Sequence, residues 1–531
     1  PNLEARFVAA NTLIGLGKDL SLANTHNVQC IKDKLAEANH RIFNAKTMRT
    51  KRKWREKVKE LRKDLSDELI KTGMLSNDDA TLIASWDMFD QNTSSNFFDS
   101  EWMFGLSNGF DVVIGNPPYI DSETMTATMP KMREKYAKLF KCAKGNWDMF
   151  IVFLEKGIDL CAISGTYSFI VPNKLIGADY SETIKEKITT GCIIEIRDYS
   201  RVKVFAEVNV YPCTIVGSKK EQSEKIAFTT MQDKINIHSI KVINKLTFSR
   251  CPYWDVYFRD EKIVALIVKY LTHPSLKDVK NYIVNTSATV AEAYKIKPVI
   301  RDLCQFHDSL KIINTGTIDP YCSLWGIKPM QYIKGRYQHP IISEIDLRQI
   351  SINRLTQAKS NKIIIAGMSG RIEALYDEGA TLAGKSTIII TNSKDGKNSL
   401  ISLLGILNSK LTSFCLFTMF HSLKMAGGFL NVNKSIISSA TMPINAINSE
   451  ILIKLVKSIT SEKQKASEKD TTFLEQQIDI LVYLLYGLTY EEIMIVENTE
   501  DGGPLSITKA TYTTWLERYK DKGVLPSEEE M

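Results

Sequence analysis

No two cysteines in this 531-residue chain stand in Cys-x-x-Cys spacing; the nine are scattered from Cys30 to Cys415. Thiols so dispersed suit a reducing compartment, where they are buried as small apolar residues, and the expectation is a cytoplasmic protein without disulfides. The seven histidines are equally scattered, so no metal site is expected. No apolar run approaches the roughly 20 residues of a membrane span and no secretory signal is legible, which removes a membrane from the expected partners. Charge of neither sign is in large surplus. The 68 basic and 61 acidic residues leave a net +7, which permits a polyanionic partner without demanding one. With 44% hydrophobic and 24% charged residues, the remaining class is a globular protein. Its length suits roughly two to four domains with sizeable cores.

The texture changes along the chain. Residues 5–16 (ARFVAANTLIGL) read as a short buried strand, a polar Asn-Thr turn and an apolar continuation. Over 27–72, Ile31, Leu35, Ala38 and Ile42 recur at helical spacing, as do Trp54, Val58, Leu61, Leu65 and Leu69. The spacing predicts a helical hairpin inserted into an α/β domain. Its connecting stretch, AKTMRTKRKWREK, is dense in Lys and Arg; a solvated helix face and a contact to a phosphate backbone both account for that. Short apolar runs at 110–115, 166–172, 193–197 and 208–216 (interrupted by Pro212) alternate with helical patterns at 150–161 and 180–189. That alternation predicts a doubly wound, largely parallel sheet. A polar mixture near 225–255 marks a boundary, and 255–460 reads as a mixed α+β region. The end is helical: an apolar stripe over 473–486 stops at Gly487, and Thr489-x-x-Glu492 forms a capping box for one more helix. The tail from 502 (GGPL…LPSEEEM) reads as frayed.

At 111–120 (DVVIGNPPYI) an apolar strand runs into an asparagine, two prolines and an aromatic ring. A turn that ends strand pairing accounts for the prolines alone. Yet Asn116-Pro117-Pro118-Tyr119 is expected by chance in on the order of one chain in several hundred. It also falls at the carboxyl end of a strand, where open α/β sheets build their sites. The arrangement suits an exocyclic amine such as that of adenine. Such an amine is a poor nucleophile because its lone pair is delocalised into the ring, and it must pyramidalise to attack a methyl donor. Two fixed acceptors, one per N–H, favour that geometry: the amide oxygen of Asn116 and the backbone carbonyl of Pro117. Proline rings at 117 and 118 lock φ and hold that carbonyl in place. Tyr119 offers a face on which a base stacks. No general base with a shifted pKa is required, since the proton can leave after transfer.

These residues resemble motif IV, (N/D)PP(Y/F), of the amino-methylating DNA methyltransferases, and most resemble the adenine-specific gamma class. SNFFDSEWMFGLSNGFDVVIGNPPYI (95–120) is similar to the approach to that motif in the large single-chain restriction–methylation enzymes called type IIG. PNLEARFVAANTLIGL (1–16) resembles their motif III, which places Asn11 near the cofactor adenine. NWDMFIVFLEKGIDL (146–160) resembles motif V and GTYSFIVPNKLI (165–176) motif VI. KVFAEVNVYPCTIV (203–216) resembles motif VIII, whose aromatic residue, here Phe205, would stack on the target base opposite Tyr119. A fainter likeness at 403–443 is to a target-recognition domain.

The resemblance implies a partial Rossmann-like methyltransferase sheet with its helical insert over 1–225. An α+β target-recognition (DNA specificity) domain would follow over 226–460, then C-terminal helices and tail over 461–531. It further implies S-adenosylmethionine as cofactor, held in part by Asn11 and Asn116, and double-stranded DNA as partner, with the target adenine flipped out of the helix. The setting it implies is a prokaryotic cytoplasm. Lys334, Arg336, Arg348, Arg354, Lys359, Lys362 and Arg371 are candidate DNA contacts, half or more of which would only position the duplex. One part of the family pattern is not legible. Gly15-Leu16-Gly17 has no third glycine, and Gly427-Gly428 lies far downstream of where motif I belongs. Nor is there a nuclease pattern of Asp and Glu-x-Lys. Since the chain opens on Pro1, both are expected upstream of it. Three other readings stay open: a DNA-binding specificity fragment that transfers no methyl group by itself, methylation of the cytosine amino group, and modification of RNA or protein glutamine.

Overall fold

The structure, a computed structural model, describes residues 7–15, 25–73, 94–104, 106–190, 193–205, 210–220, 224–303, 307–393, 396–425, 427–498 and 507–531. The chain divides into two compact units, Pro1–Lys245 and Leu246–Met531.

In the first unit the predicted hairpin forms as α1 (His26–Phe43) and α2 (Met48–Lys71). Each starts on a threonine cap: Thr25 accepts from the Val28 N–H and Thr47 from the Thr50 N–H. Leu35, Ala38 and Ile42 of α1 interlock with Val58, Leu61, Leu65 and Leu69 of α2, and the pair closes over Phe97 and Met103. The segment expected as a strand over 5–16 is irregular where it is described. Its one sheet-like contact is an isolated bridge from Ala10 to Ser95, because Asn11 turns the chain immediately afterwards; residues 1–6 and 16 lie outside the described residues.

The sheet has the order β1–β2–β4–β3–β5–β6. Its strands are β1 (Phe110–Gly115), β2 (Cys161–Pro172), β3 (Ile193–Asp198), β4 (Pro212–Ser218), β5 (Lys225–Met231) and β6 (Ile237–Asn244). Only β1·β2 and β3·β5 are parallel; β2·β4, β3·β4 and β5·β6 are antiparallel. The sheet is therefore mixed rather than largely parallel. No crossover helix is described between β3 and β4, so β4 returns beside β3 in the opposite direction. Pro212 opens β4 instead of interrupting it, and the first residue of a strand inside the sheet tolerates a missing N–H. The polar stretch that reads as a boundary near 225 holds two further strands, and the first unit runs to Lys245.

Helices Phe150–Leu160 and Glu182–Thr190 cover one face of this sheet, over buried Tyr167, Phe169, Val171, Ile196 and Phe228. Gly157 permits the approach, since a Cβ there would lie 2.1 Å from the Phe169 ring. A doubly wound sheet has helices on both faces. Here, among the described residues, Val112 and Ile114 of β1 and Ile240 and Val242 of β6 stand exposed on the other face, and Thr166, Ser168, Thr214 and Val216 between them are half-buried.

The second unit contains two four-stranded sheets. One runs Ala374–Asp377, Lys362–Ala366, Thr387–Asn392, Tyr282–Thr286 and is antiparallel throughout. The isoleucines at 363–365 and 388–390 pair at its centre, continuous apolar runs suited to burial on both faces. The other runs Thr381–Ala383, Ser309–Ile313, Pro340–Ser343, Arg301–Asp302. Helices follow, among them Thr472–Leu485 and Tyr490–Glu497; the latter starts on the expected Thr489/Glu492 capping box. The tail read as frayed contains a 14-residue helix, Lys509–Lys522, capped by Thr508 and anchored by buried Tyr512, Trp515 and Leu516. No single described helix is long and apolar enough to cross a membrane.

Candidate active site

Asn116-Pro117-Pro118-Tyr119 leaves the carboxyl end of β1 directly after Gly115. Gly115 pairs with Phe169 of β2, and a Cβ there would lie 2.2 Å from that ring, so the strand ends on glycine for lack of room. Asn116 is exposed and Pro117 buried. Two other strand ends meet this edge. Pro172 closing β2 pairs with Pro212 opening β4, and the Asn173 N–H donates to the Tyr211 carbonyl at 2.8 Å.

The Tyr119 and Phe205 rings lie together, with centroids 5.9 Å apart and planes at 80°. The structure thus brings the two expected stacking residues into contact, though edge to face. A base between parallel rings needs about 3.5–4.0 Å on each side, so one ring must turn for a slot to open. The Tyr119 hydroxyl is buried without a hydrogen-bond partner among the described residues. Burial, with the neighbouring Cys213 thiol, pushes its pKa up to about 12, which keeps it a neutral phenol.

Behind the motif, the Ile120 carbonyl accepts from the Met149 N–H at 2.9 Å. Buried Asp148 accepts from the Ser122 N–H at 3.1 Å and from the Tyr180 hydroxyl at 2.8 Å, with the Lys174 ammonium 3.6 Å away. Burial, then the Asp148 charge, drives the Tyr180 phenol well above its ordinary range. Asp148 and Tyr180 therefore hold the loop that follows Tyr119, and neither was singled out from sequence. The available signal was a lone acid inside the apolar run NWDMF.

Asn11 donates its backbone N–H to the Ser95 carbonyl at 2.8 Å, and its side-chain oxygen accepts from the Leu13 N–H at 3.2 Å. Leu13 and Ile120 share an apolar cluster with Met125 and Trp147, which brings this segment against the loop after the motif. Among the described residues no group of three or more His, Cys, Asp or Glu could hold a metal ion.

The seven candidate DNA contacts of the second unit divide. Lys334, Arg336, Arg348 and Arg371 are exposed and form no salt bridge among the described residues. Lys359 pairs with Glu344 at 2.8 Å. Arg354 is held by Glu292 at 3.1 Å, the Thr286 carbonyl at 3.0 Å and Gln357 at 2.8 Å. Lys362 has to be withdrawn. It is 0% exposed, and its ammonium donates to the Ala358 and Ser360 carbonyls and to Asp377, so no phosphate can reach it. Burial lowers its pKa against the pull of Asp377.

Comparison with known proteins gives the class: a restriction–modification methylase domain followed by a specificity domain. Residues 10–205 match the family model described as Eco57I restriction-modification methylase, and residues 324–444 match the TaqI-like C-terminal specificity domain. The chain carries both domains, in that order. The type II restriction enzyme and methyltransferase RM.Eco57I of Escherichia coli is 26% identical over 132 residues, 24% of this chain and 13% of that protein. A Methanocaldococcus jannaschii protein, provisionally named a type II restriction enzyme and methyltransferase, is 24% identical over 419 residues, 73% of this chain and 32% of the relative. The type II methyltransferase M.BstVI of Geobacillus stearothermophilus is 26% identical over 119 residues, 22% of this chain and 21% of its own length. The chain thus spans a third or less of each of these relatives. Among solved structures, the type IIL restriction-modification enzyme MmeI in complex with DNA aligns over 87% of this chain and 63% of that one. Identity there is 12% and the TM-score 0.39, a distant likeness.

Proposed function

We propose that this chain is the methyl-transferring and sequence-reading part of a type II restriction–modification enzyme, acting on the exocyclic amino group of an adenine in duplex DNA. The observation that carries this is the Asn116-Pro117-Pro118-Tyr119 segment at the carboxyl end of β1, with Asn116 exposed and Tyr119 set against Phe205. The target amine is paired inside the duplex, so the base must be flipped out. Tyr119 and Phe205 sandwich it once their rings turn parallel. The Asn116 side-chain oxygen and the Pro117 carbonyl each accept one N–H of the amine, and the lone pair is directed at the donor. S-adenosylmethionine supplies the methyl group when bound. The described residues fit the accepting side of the reaction more fully than the donating side. Asn116 is exposed, but the Asn11 oxygen already bonds the Leu13 N–H, and no glycine-rich strand-to-helix loop occurs among the described residues. In this reading the specificity domain reads the sequence, and the exposed Lys334, Arg336, Arg348 and Arg371 are its candidate DNA contacts.

Asn116→Ala in the complete enzyme should lower methyl transfer to duplex DNA by about 10²–10³, the usual effect of losing one preorganised polar contact, with DNA affinity unchanged. A near wild-type rate overturns the assignment. Nucleoside analysis of the product should show N6-methyladenine; N4-methylcytosine would move the chemistry to the other base. That the Asn11 oxygen is already bonded to the Leu13 N–H favours a second reading, a specificity fragment that binds DNA without transferring a methyl group by itself. Gel shifts with duplex DNA and calorimetry with S-adenosylmethionine separate the two, and tight cofactor binding by this chain refutes the second.

A further inference from the structure

The tip of the α1–α2 hairpin carries charge that few acidic side chains among the described residues offset. Lys46, Arg49, Arg52 and Lys53 are all exposed and sit at the start of α2, a 24-residue helix with no acidic residue in its first turn. The N-terminal end of a helix is its positive pole, where acidic side chains stabilise and basic ones repel. Arg52 has one partner, Glu56 at 3.4 Å, and both ends of that pair are largely exposed, so it is worth little. Lys46, Arg49 and Lys53 form no salt bridge among the described residues. Met48, between them, is 78% exposed, so no apolar packing explains the arrangement. The tip is nonetheless well supported from below. Thr47 caps α2, the Arg41 guanidinium lies 5.9 Å from the centroid of the Trp54 ring, and the interlocked leucines begin one turn further on. A well-formed helix end that concentrates cations with so few acidic partners among the described residues is a local conflict, and an external polyanion relieves it.

We propose that this tip is a DNA-contact surface in its own right, gripping the phosphate backbone of the duplex on which the proposed methyl transfer acts; it rests on that DNA reading. Arg49, Arg52 and Lys53 fall at i, i+3 and i+4 and so share one helix face. The partner they face carries one negative charge per roughly 1.7 Å of its axis. Contacts of this kind to the phosphate backbone position the duplex and carry no sequence information directly.

The test uses the full chain with Arg49, Arg52 and Lys53 all changed to Gln, and a mixed-sequence duplex followed by fluorescence anisotropy from about 50 to 200 mM salt. The plot of log affinity against log salt should become shallower by about 0.9 per lost phosphate contact, and low-salt affinity should fall roughly ten-fold or more. Circular dichroism should show an unchanged fold, since all three side chains are exposed. The control changes exposed Lys59, Lys63 and Lys71 to Gln, removing the same charge from the rest of α2. An unchanged slope in the tip variant, or an equal change in both variants, overturns the assignment while leaving the DNA reading standing. Failure of the unsubstituted chain to bind duplex DNA at any salt overturns both.

Discussion

At the scale of single residues, the site pairs a legible motif with supports that sequence conceals. The tetrapeptide at 116–119 announces itself because two prolines after an apolar strand are rare, and the likeness at 203–216 places Phe205 beside it. Asp148 and Tyr180 were not legible, because their role depends on a contact between residues 32 apart that no local pattern encodes. Lys362 misled for a related reason: a lysine in a basic stretch looks like a phosphate contact until the fold buries it against Asp377. Tyr119 allows a sharper test. Its hydroxyl is buried without a partner among the described residues, and an unmet polar group costs about 1–3 kcal/mol. Tyr119→Phe should therefore hold or raise the melting temperature and keep the stacking face, whereas Phe205→Ala should weaken capture of the base by about 1–3 kcal/mol. A 2-aminopurine at the target position reports base capture. Loss of that signal in Tyr119→Phe would show that the hydroxyl meets the base.

At the scale of elements, local rules held where the chain is locally determined. The hairpin stripes and the Thr489/Glu492 box form as read. The mixed sheet did not announce itself, since the direction of β4 is set by its neighbours and not by its own residues. The helix Lys509–Lys522 was hidden by a polar sequence whose short stripe of Tyr512, Trp515 and Leu516 only tertiary packing makes decisive. Helix Thr472–Leu485 carries the clearest pH dependence. Buried Asp479 accepts from the Lys410 N–H, yet burial pushes its carboxyl up to about 7. The folded state thus binds this proton more tightly than the unfolded chain does. Its ionisation is a penalty that grows as pH rises from about 4 to 7 and is complete above that, on the order of 4 kcal/mol. Asp479→Asn keeps the acceptor for the Lys410 N–H and removes the charge. It should raise the melting temperature more at pH 8 than at pH 5, and an equal shift at both would show that Asp479 does not titrate in this range.

At the scale of the whole molecule, length suggested two to four domains, and the chain divides into two compact units. Composition could not anticipate that, among the described residues, no element covers one face of the first unit's sheet, because apolar residues are counted alike whether covered or bare. Val112, Ile114, Ile240 and Val242 lie on that face, Ile114 with 79% of its surface exposed. A dye such as ANS should brighten on the folded chain, and Ile114→Thr with Ile240→Thr should dim it without lowering the melting temperature. Equal brightness in the variant would place the dye elsewhere. The same face governs how the chain behaves in a tube. A net charge of +7 is a weak colloidal repulsion for 531 residues, and salt screens it over about 10 Å at 0.1 M. Sulfate also strengthens attraction between bare apolar surfaces. Ammonium sulfate should therefore precipitate this chain early in a fractionation, and moderate concentrations of a weakly hydrated salt should keep it dissolved.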